Sequence, residues 1–186
     1  MRCKNCKDKF EPKKFLQKFC MEKEECISEF LKEMRAKNVK TEKKDWQLKK
    51  KVLIEKTMTH SDWLKRLEEV FNKFIRLRDK DKPCISCGTE KQNIEYHAGH
   101  FWPGGNYSFL RFHEDNVHKQ CGNNCNKNKH GNVGEYRIKL IERIGLERVN
   151  YLDLTRHNSS TLTIDEVKEK IIIYKSKVKQ LENGNI

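Results

Sequence analysis

The chain has 186 residues, and 40 Lys and Arg against 27 Asp and Glu leave a formal charge of +13. At 35% hydrophobic and 36% charged residues, it is too poor in apolar side chains for a large core and needs some other source of folding energy. It carries no apolar run near the roughly 18 residues that cross a bilayer, and Met1-Arg-Cys-Lys-Asn-Cys6 offers no apolar signal region, so the expectation is a soluble, basic, cytoplasmic protein without membrane partners.

Residues 1–28 read as a zinc knuckle built on Cys3, Cys6, Cys20 and Cys26, spaced C-x2-C-x13-C-x5-C. A C-x2-C pair suits two ligands of one tetrahedral zinc. A disulfide framework would need a secretory route. Phe10, Phe15 and Phe19 are expected to pack around the metal, which then supplies the folding energy.

Residues 29–80 read as a basic helical arm. From Arg35 to Lys56 there are nine basic and three acidic residues, a net of +6. That is either a solvated helix face or flexible linker, or a phosphate-contacting arm, with Lys49, Lys50 and Lys51 as its densest run. Ser61 is expected to cap a second helix. Trp63, Leu67, Val70, Phe74 and Leu77 recur at spacings of 4, 3, 4 and 3 and give it an apolar stripe.

Residues 81–135 hold the second quartet, Cys84, Cys87, Cys121 and Cys125, spaced C-x2-C-x33-C-x3-C. Pro83 stops the preceding helix. Short strands are expected at 94–101 and 109–112, around a glycine loop. With two zincs held by eight thiolates, the charge falls from +13 to about +9.

In residues 136–186 the helical pattern prevails. A face of Val133, Tyr136, Leu140, Ile141 and Ile144 ends at Gly145. A short helix spans 146–156. Thr163 and Glu166 form a capping box for a last helix, whose seam from Ile164 to Leu181 fits either the chain's own helices or a second copy.

The chemistry concentrates in Glu95-Tyr-His97-Ala-Gly-His100-Phe, in Asp115-Asn116-Val-His118-Lys119-Gln-Cys121, and in Cys125-Asn126-Lys127-Asn-Lys129. A strand–loop–strand–helix unit with a cation on one side and structural zinc on the other would place them. These phrases, with Leu110-Arg111-Phe, Gly131-Asn132 and Tyr136-Arg137, resemble the phage NinG (Rap) recombination-nuclease family within the HNH nuclease superfamily. The N-terminal cysteine phrases resemble that family's zinc module, so the likeness covers almost the whole chain.

The resemblance implies an α+β fold with a small zinc-stabilised ββα-metal core, an N-terminal four-cysteine zinc knuckle and flanking helices. It implies a metal-dependent endonuclease for branched recombination DNA such as Holliday junctions. Its cofactors would be two structural Zn²⁺ and a catalytic Mg²⁺ or Mn²⁺. By the same match His100 is the general base, Asn126 a ligand of the catalytic cation and His97 a second, while Asn116 orients His100 through its side-chain carbonyl. The family often has Asp at the position of His97, and its cysteine gaps are shorter than x3 and x5.

Strand alternation puts His97 and His100 on opposite faces unless Gly99 forms a bulge; without one, His97 is no ligand and the cation relies on Asn126, water and phosphate. Arg111, Lys119, Lys127 and Lys129 flank the site as candidate phosphate contacts. His113, His130 and His157 read as surface residues, and Trp102 and Tyr107 as either stacking or packing residues. Partners expected are branched DNA, a second copy of the chain for paired cuts, and other phage recombination proteins. The rival readings are an HNH nuclease for ordinary duplex and a non-catalytic zinc-containing nucleic-acid-binding factor.

Overall fold

The computed structural model describes residues 1–184. They form two compact units, Met1–Met58 and the chain from Thr59 onward. No helix among the described residues is long and apolar enough to cross a membrane.

The first unit is a cysteine knuckle followed by one long helix, α1 (Glu24–Thr57), in which only Cys26 is buried. Phe10 and Phe19 pack with Cys3, Cys20 and Cys26 as its small core. Phe15 does not join them: it is 94% exposed, contrary to the expectation that all three rings close on the metal. Phe30 of α1 takes the third place against Phe19, and Phe15 is left pointing outward.

The second unit opens with α2 (His60–Arg78). Its cap is Thr59, not Ser61: the Thr59 hydroxyl accepts from the Asp62 amide, and the Asp62 carboxylate accepts from the Thr59 amide. The expected stripe is buried at Trp63, Leu67 and Phe74, with Phe71 and Ile75 beside it.

This stripe meets α5 (Ile164–Glu182), capped by Thr163 and Glu166 as expected. Tyr174 stacks edge-on against Phe71, centroids 4.9 Å apart. Val167, Ile171, Tyr174 and Val178 are buried, so the α5 seam packs on the chain's own α2. The boundary between units therefore falls inside the expected 29–80 arm, because α2 has an apolar face to bury and α1 does not.

The sheet has two antiparallel strands, β1 (Tyr96–His100) and β2 (Val117–Cys121). The second strand is not at 109–112, where Ser108–Leu110 forms a 3₁₀ turn. The Asn116 side chain holds that turn by donating to the Leu110 carbonyl, an alternative to strand pairing. All five residues of β2 are buried, so it lacks the alternation that marks a half-exposed strand. The hairpin leads into a π-helical segment, Gly122–Asn128, then α3 (Val133–Ile144) and α4 (Leu146–Thr155). Gly145 ends α3 at φ +86°. Ile85, Phe101, Leu110, Tyr136, Leu140, Val149 and Leu152 make the core beneath.

Candidate active site and metal centres

Both quartets close into cages. Within each, the four Sγ atoms lie within 4.8 Å of one another. Cys3–Cys26, Cys84–Cys121 and Cys87–Cys121 are each 3.7 Å apart, and Cys6–Cys20 is 3.9 Å. A tetrahedral zinc with bonds of about 2.3 Å would set sulfurs about 3.8 Å apart. The donor set thus fits a soft divalent metal, and the x3 and x5 gaps do not spoil it.

Amide donors surround the sulfurs, as they do around metal thiolates. The Cys20 amide donates to Cys3 Sγ at 3.4 Å, and the Cys121 amide to Cys84 Sγ at 3.3 Å. Burial opposes ionisation of Cys3, yet the amides of Cys20, Cys6 and Asn5 bring its pKa down to about 6. In the second cage burial, then the Cys121 and Cys87 thiols, push Cys125 far up. Four thiols this close do not all ionise without a cation between them.

His100 stands at the end of β1, half-buried. Its Nε2 lies 2.9 Å from the Arg111 carbonyl. Only an N–H can meet a carbonyl there, so the proton sits on Nε2 and Nδ1 keeps its lone pair. Burial lowers the His100 pKa below its ordinary 6.5, against a smaller opposing pull from the Arg111 carbonyl. The ring is therefore neutral at pH 7.

Asn116 acts one step back from the expected place. It does not touch the ring. Its Oδ1 accepts from the Trp102 amide at 2.8 Å, and its Nδ2 donates to the carbonyls of Trp102 and Leu110 at 2.8 and 3.0 Å. It pins both ends of the loop that delivers the Arg111 carbonyl. The reason is burial: a fully buried amide satisfies every group it can on the backbone around it. Gly104 crosses this loop so closely that a Cβ there would lie 3.2 Å from His100 Nε2 and 3.3 Å from Arg111 Cα.

His97 and Asn126 come together, with Asn126 Nδ2 3.1 Å from His97 Nδ1. Glu95, which the motif reading passed over, completes the group with Oε1 3.2 Å from His97 Nε2. Its position two residues before His97, on the same side of an extended chain, was the available signal. Asn126 and Glu95 meet different nitrogens of the imidazole, so the three are linked through the ring, with Nε2–H donating to the carboxylate and Nδ1 accepting from the amide.

This trio does not share a face with His100. The register runs unbroken from Tyr96 opposite Cys121 to His100 opposite Val117, so the bulge at Gly99 is absent. His97 and His100 point to opposite faces of β1, roughly 10 Å apart along the strand. The predicted single centre is two neighbouring ones.

The basic candidates divide. Arg111 is half-buried and pairs with Glu68, Nη2 to Oε2 at 2.8 Å. Lys119 is buried; its ammonium donates to the Lys80 carbonyl at 2.7 Å and sits over the Tyr96 ring. It is turned inward because β2 is covered on both faces, so it is not a surface phosphate contact. Lys127 and Lys129 are exposed beside Asn126, and Lys49, Lys50 and Lys51 are exposed on α1.

His118 is structural, with Nδ1 3.3 Å from the buried Asp79 carboxylate. The His113 Nδ1 accepts from the Asp115 amide. Trp102 and Tyr107 pack the loop, with Trp102 Nε1 donating to Asp153 at 3.0 Å.

The family model described as bacteriophage lambda NinG protein matches residues 1–184. The ninG protein of Escherichia phage lambda is 37% identical over 98% of this chain and 94% of its own length. That of Salmonella phage P22 is 36% identical over the same shares. That of Escherichia phage 933W is 42% identical over 67% of this chain and 60% of its own. No solved structure matches.

Proposed function

The chain belongs to the NinG family, and on that premise we propose that it is a metal-dependent, structure-selective DNA endonuclease, a Rap-type recombination enzyme of the HNH superfamily. Its substrates are branched recombination intermediates such as Holliday junctions, met in the cytoplasm of a phage-infected host. The hairpin and the π-helical segment form the ββα-metal core, and the two sulfur cages hold zinc.

The observation that carries this reading is the bond between His100 Nε2 and the Arg111 carbonyl. It fixes the ring, fixes the tautomer and leaves Nδ1 free to take a proton from water beside a scissile phosphate. A buried neutral imidazole suits that task at physiological pH. Asn116 holds the loop that holds the ring. Arg111, poised between Glu68 and the site, faces the phosphate oxygens. Lys127 and Lys129 grip the flanking backbone, and Lys49 to Lys51 contact a further DNA arm.

Asn126, with His97 beside it, would hold the Mg²⁺ or Mn²⁺ on the face of β1 away from His100. Bound there, that cation would neutralise a backbone phosphate on its own face of the strand, not the one beside His100. Glu95, at the other ring nitrogen, would fix the tautomer of His97. A homodimer suits paired cuts, and its surface lies outside the α5 seam, which is already buried.

The separation of His97 from His100 favours a second reading, a zinc-containing nucleic-acid-binding factor that does not cut. A labelled four-way junction and a linear duplex, incubated with Mg²⁺ or Mn²⁺ and in cation-depleted buffer, decide between them. The expected result is cation-dependent cutting of the junction, lost in His100→Ala with binding retained. Equal cutting of the duplex would make it an ordinary HNH nuclease. Tight binding without cutting under any cation would leave the binding factor.

A further inference from the structure

The tip of the knuckle carries an exposed aromatic that the first cage does not use. Phe15 is 94% exposed and Leu16 beside it 70%. Phe15 is the most exposed of the large apolar side chains among the described residues, which singles this tip out as a contact surface.

The pair is presented, not loose. The Gln17 side chain closes the turn beneath it: Oε1 accepts from the Lys13 amide at 2.9 Å, and Nε2 donates to the Phe19 carbonyl at 2.7 Å. Leu16 sits at φ +62°, a conformation that leucine adopts only when its surroundings impose it. On the inner side, a groove of about 620 Å³ runs from this turn to Phe30 and Met34 on α1.

The surroundings are cationic. Lys9 to Lys18 holds four lysines against one glutamate, and all four lysines are exposed. Lys37 also lines the groove. Of the two acids there, Glu33 is paired with Lys4, and Glu22 is the other. A flat apolar tip framed by ammonium groups complements a polyanion with an exposed ring face, and poorly complements an apolar protein groove.

We infer that Phe15 and Leu16 form a wedge that stacks on an unpaired or unstacked base at the branch point of DNA, while Lys13, Lys14 and Lys18 hold the adjoining phosphates. This rests on the proposed action on branched DNA and deepens it, since it supplies the selection of branches. Bases at a branch are already partly unstacked, so the wedge is met there at least cost, whereas a continuous duplex must first be opened.

The test uses the full chain with both cages metal-loaded and no added Mg²⁺ or Mn²⁺, so that binding is read without cutting. Phe15→Ala should weaken four-way-junction binding by about tenfold and linear-duplex binding by less than about twofold, as loss of one stacking partner predicts. The salt slope should stay unchanged, because no charge is removed. Phe15→Trp should restore the junction preference, and an unaltered metal content shows that the knuckle is intact.

Junction affinity unchanged in Phe15→Ala, or junction and duplex affinity falling together, overturns the wedge and leaves the proposed enzyme standing. So does a change of oligomeric state with DNA binding untouched, which would make the tip a protein contact. A wild type without any junction preference removes the branched-DNA reading, and the wedge with it.

Discussion

The imidazole of His100 is held from behind by the backbone of Arg111, 2.9 Å from Nε2 to carbonyl oxygen. The proton-accepting nitrogen is thus selected by main chain rather than by another side chain. Burial lowers the pKa of this ring below 6.5. A base must be neutral, so activity should be complete at pH 7 and fall only as the pH drops through the lowered value. The acid limb of the kcat/KM profile should therefore lie below pH 6.5. His100→Ala should cost about 10²- to 10⁴-fold in cutting rate. A limb centred above 6.5 would assign the base elsewhere.

Gly104 lies under the same ring. A Cβ there would be 3.2 Å from His100 Nε2 and 2.9 Å from Arg111 Cγ. The Arg111 side chain can swing aside, but Arg111 Cα at 3.3 Å belongs to the backbone whose carbonyl holds the base. Gly104→Ala should reduce the cutting rate while leaving the junction Kd within about twofold, since remote misplacement of a catalytic group lowers turnover before binding. Parallel single-turnover cleavage and equilibrium binding would check it.

Asp79 should matter more to stability than to cutting. Its carboxylate is fully buried. It accepts from Arg78 Nε at 2.9 Å, Arg78 Nη2 at 2.8 Å and the Lys119 amide at 3.1 Å, and so ties α2 to β2. Burial opposes its charge, but His118 and Arg78 outweigh burial and hold its pKa far below 3.8. Its stabilising contribution is therefore complete above pH 3.8 and drains away as the pH falls below that. Asp79→Ala leaves the Arg78 guanidinium uncompensated and should cost about 3–5 kcal/mol, measured by urea unfolding at neutral pH.

Each sulfur cage should carry one metal. Elemental analysis should find two zincs per chain, and one in either Cys26→Ser or Cys125→Ser, since a cage short of one thiolate loses most of its affinity. Stripping the metals should expose residues 1–26 to protease first. Their buried side chains are few, and three of them are cysteines whose thiolates need the cation. Retained protection after complete metal removal would mean that the knuckle folds on its own.

Local features proved the most readable. Cysteine spacing located both cages, and the Thr163–Glu166 box and Gly145 located helix ends, because each depends on a few neighbouring residues. The strand Val117–Cys121 was hidden because it is buried on both faces and so shows no alternation. Phe109 to Phe112 imitated a strand by composition, while its conformation is set by the Asn116 side chain. Lys119 looked like a surface cation for the same reason that its strand was missed. The motif singled out His97, His100 and Asn126 and brought them to one small hairpin region. Their division between two faces depends on the absence of a bulge, and Gly99 is compatible with either outcome. Phe15 was misread because composition near a metal cannot tell a ring that packs from one that points away.

Helix α1 leaves the first cage through Cys26 and runs on to Thr57, about 46 Å at 1.5 Å per residue, with no other buried residue along it. Mechanically it is a lever whose fulcrum is a cysteine of that cage. A rotation of about 5° at Cys26 sweeps the far end by roughly 4 Å over that length, more than half a phosphate spacing. If the cage holds zinc and Lys49, Lys50 and Lys51 meet DNA as proposed, the stiffness of four metal–sulfur bonds would set their aim, and a softer or larger ion would blur it without touching a single lysine.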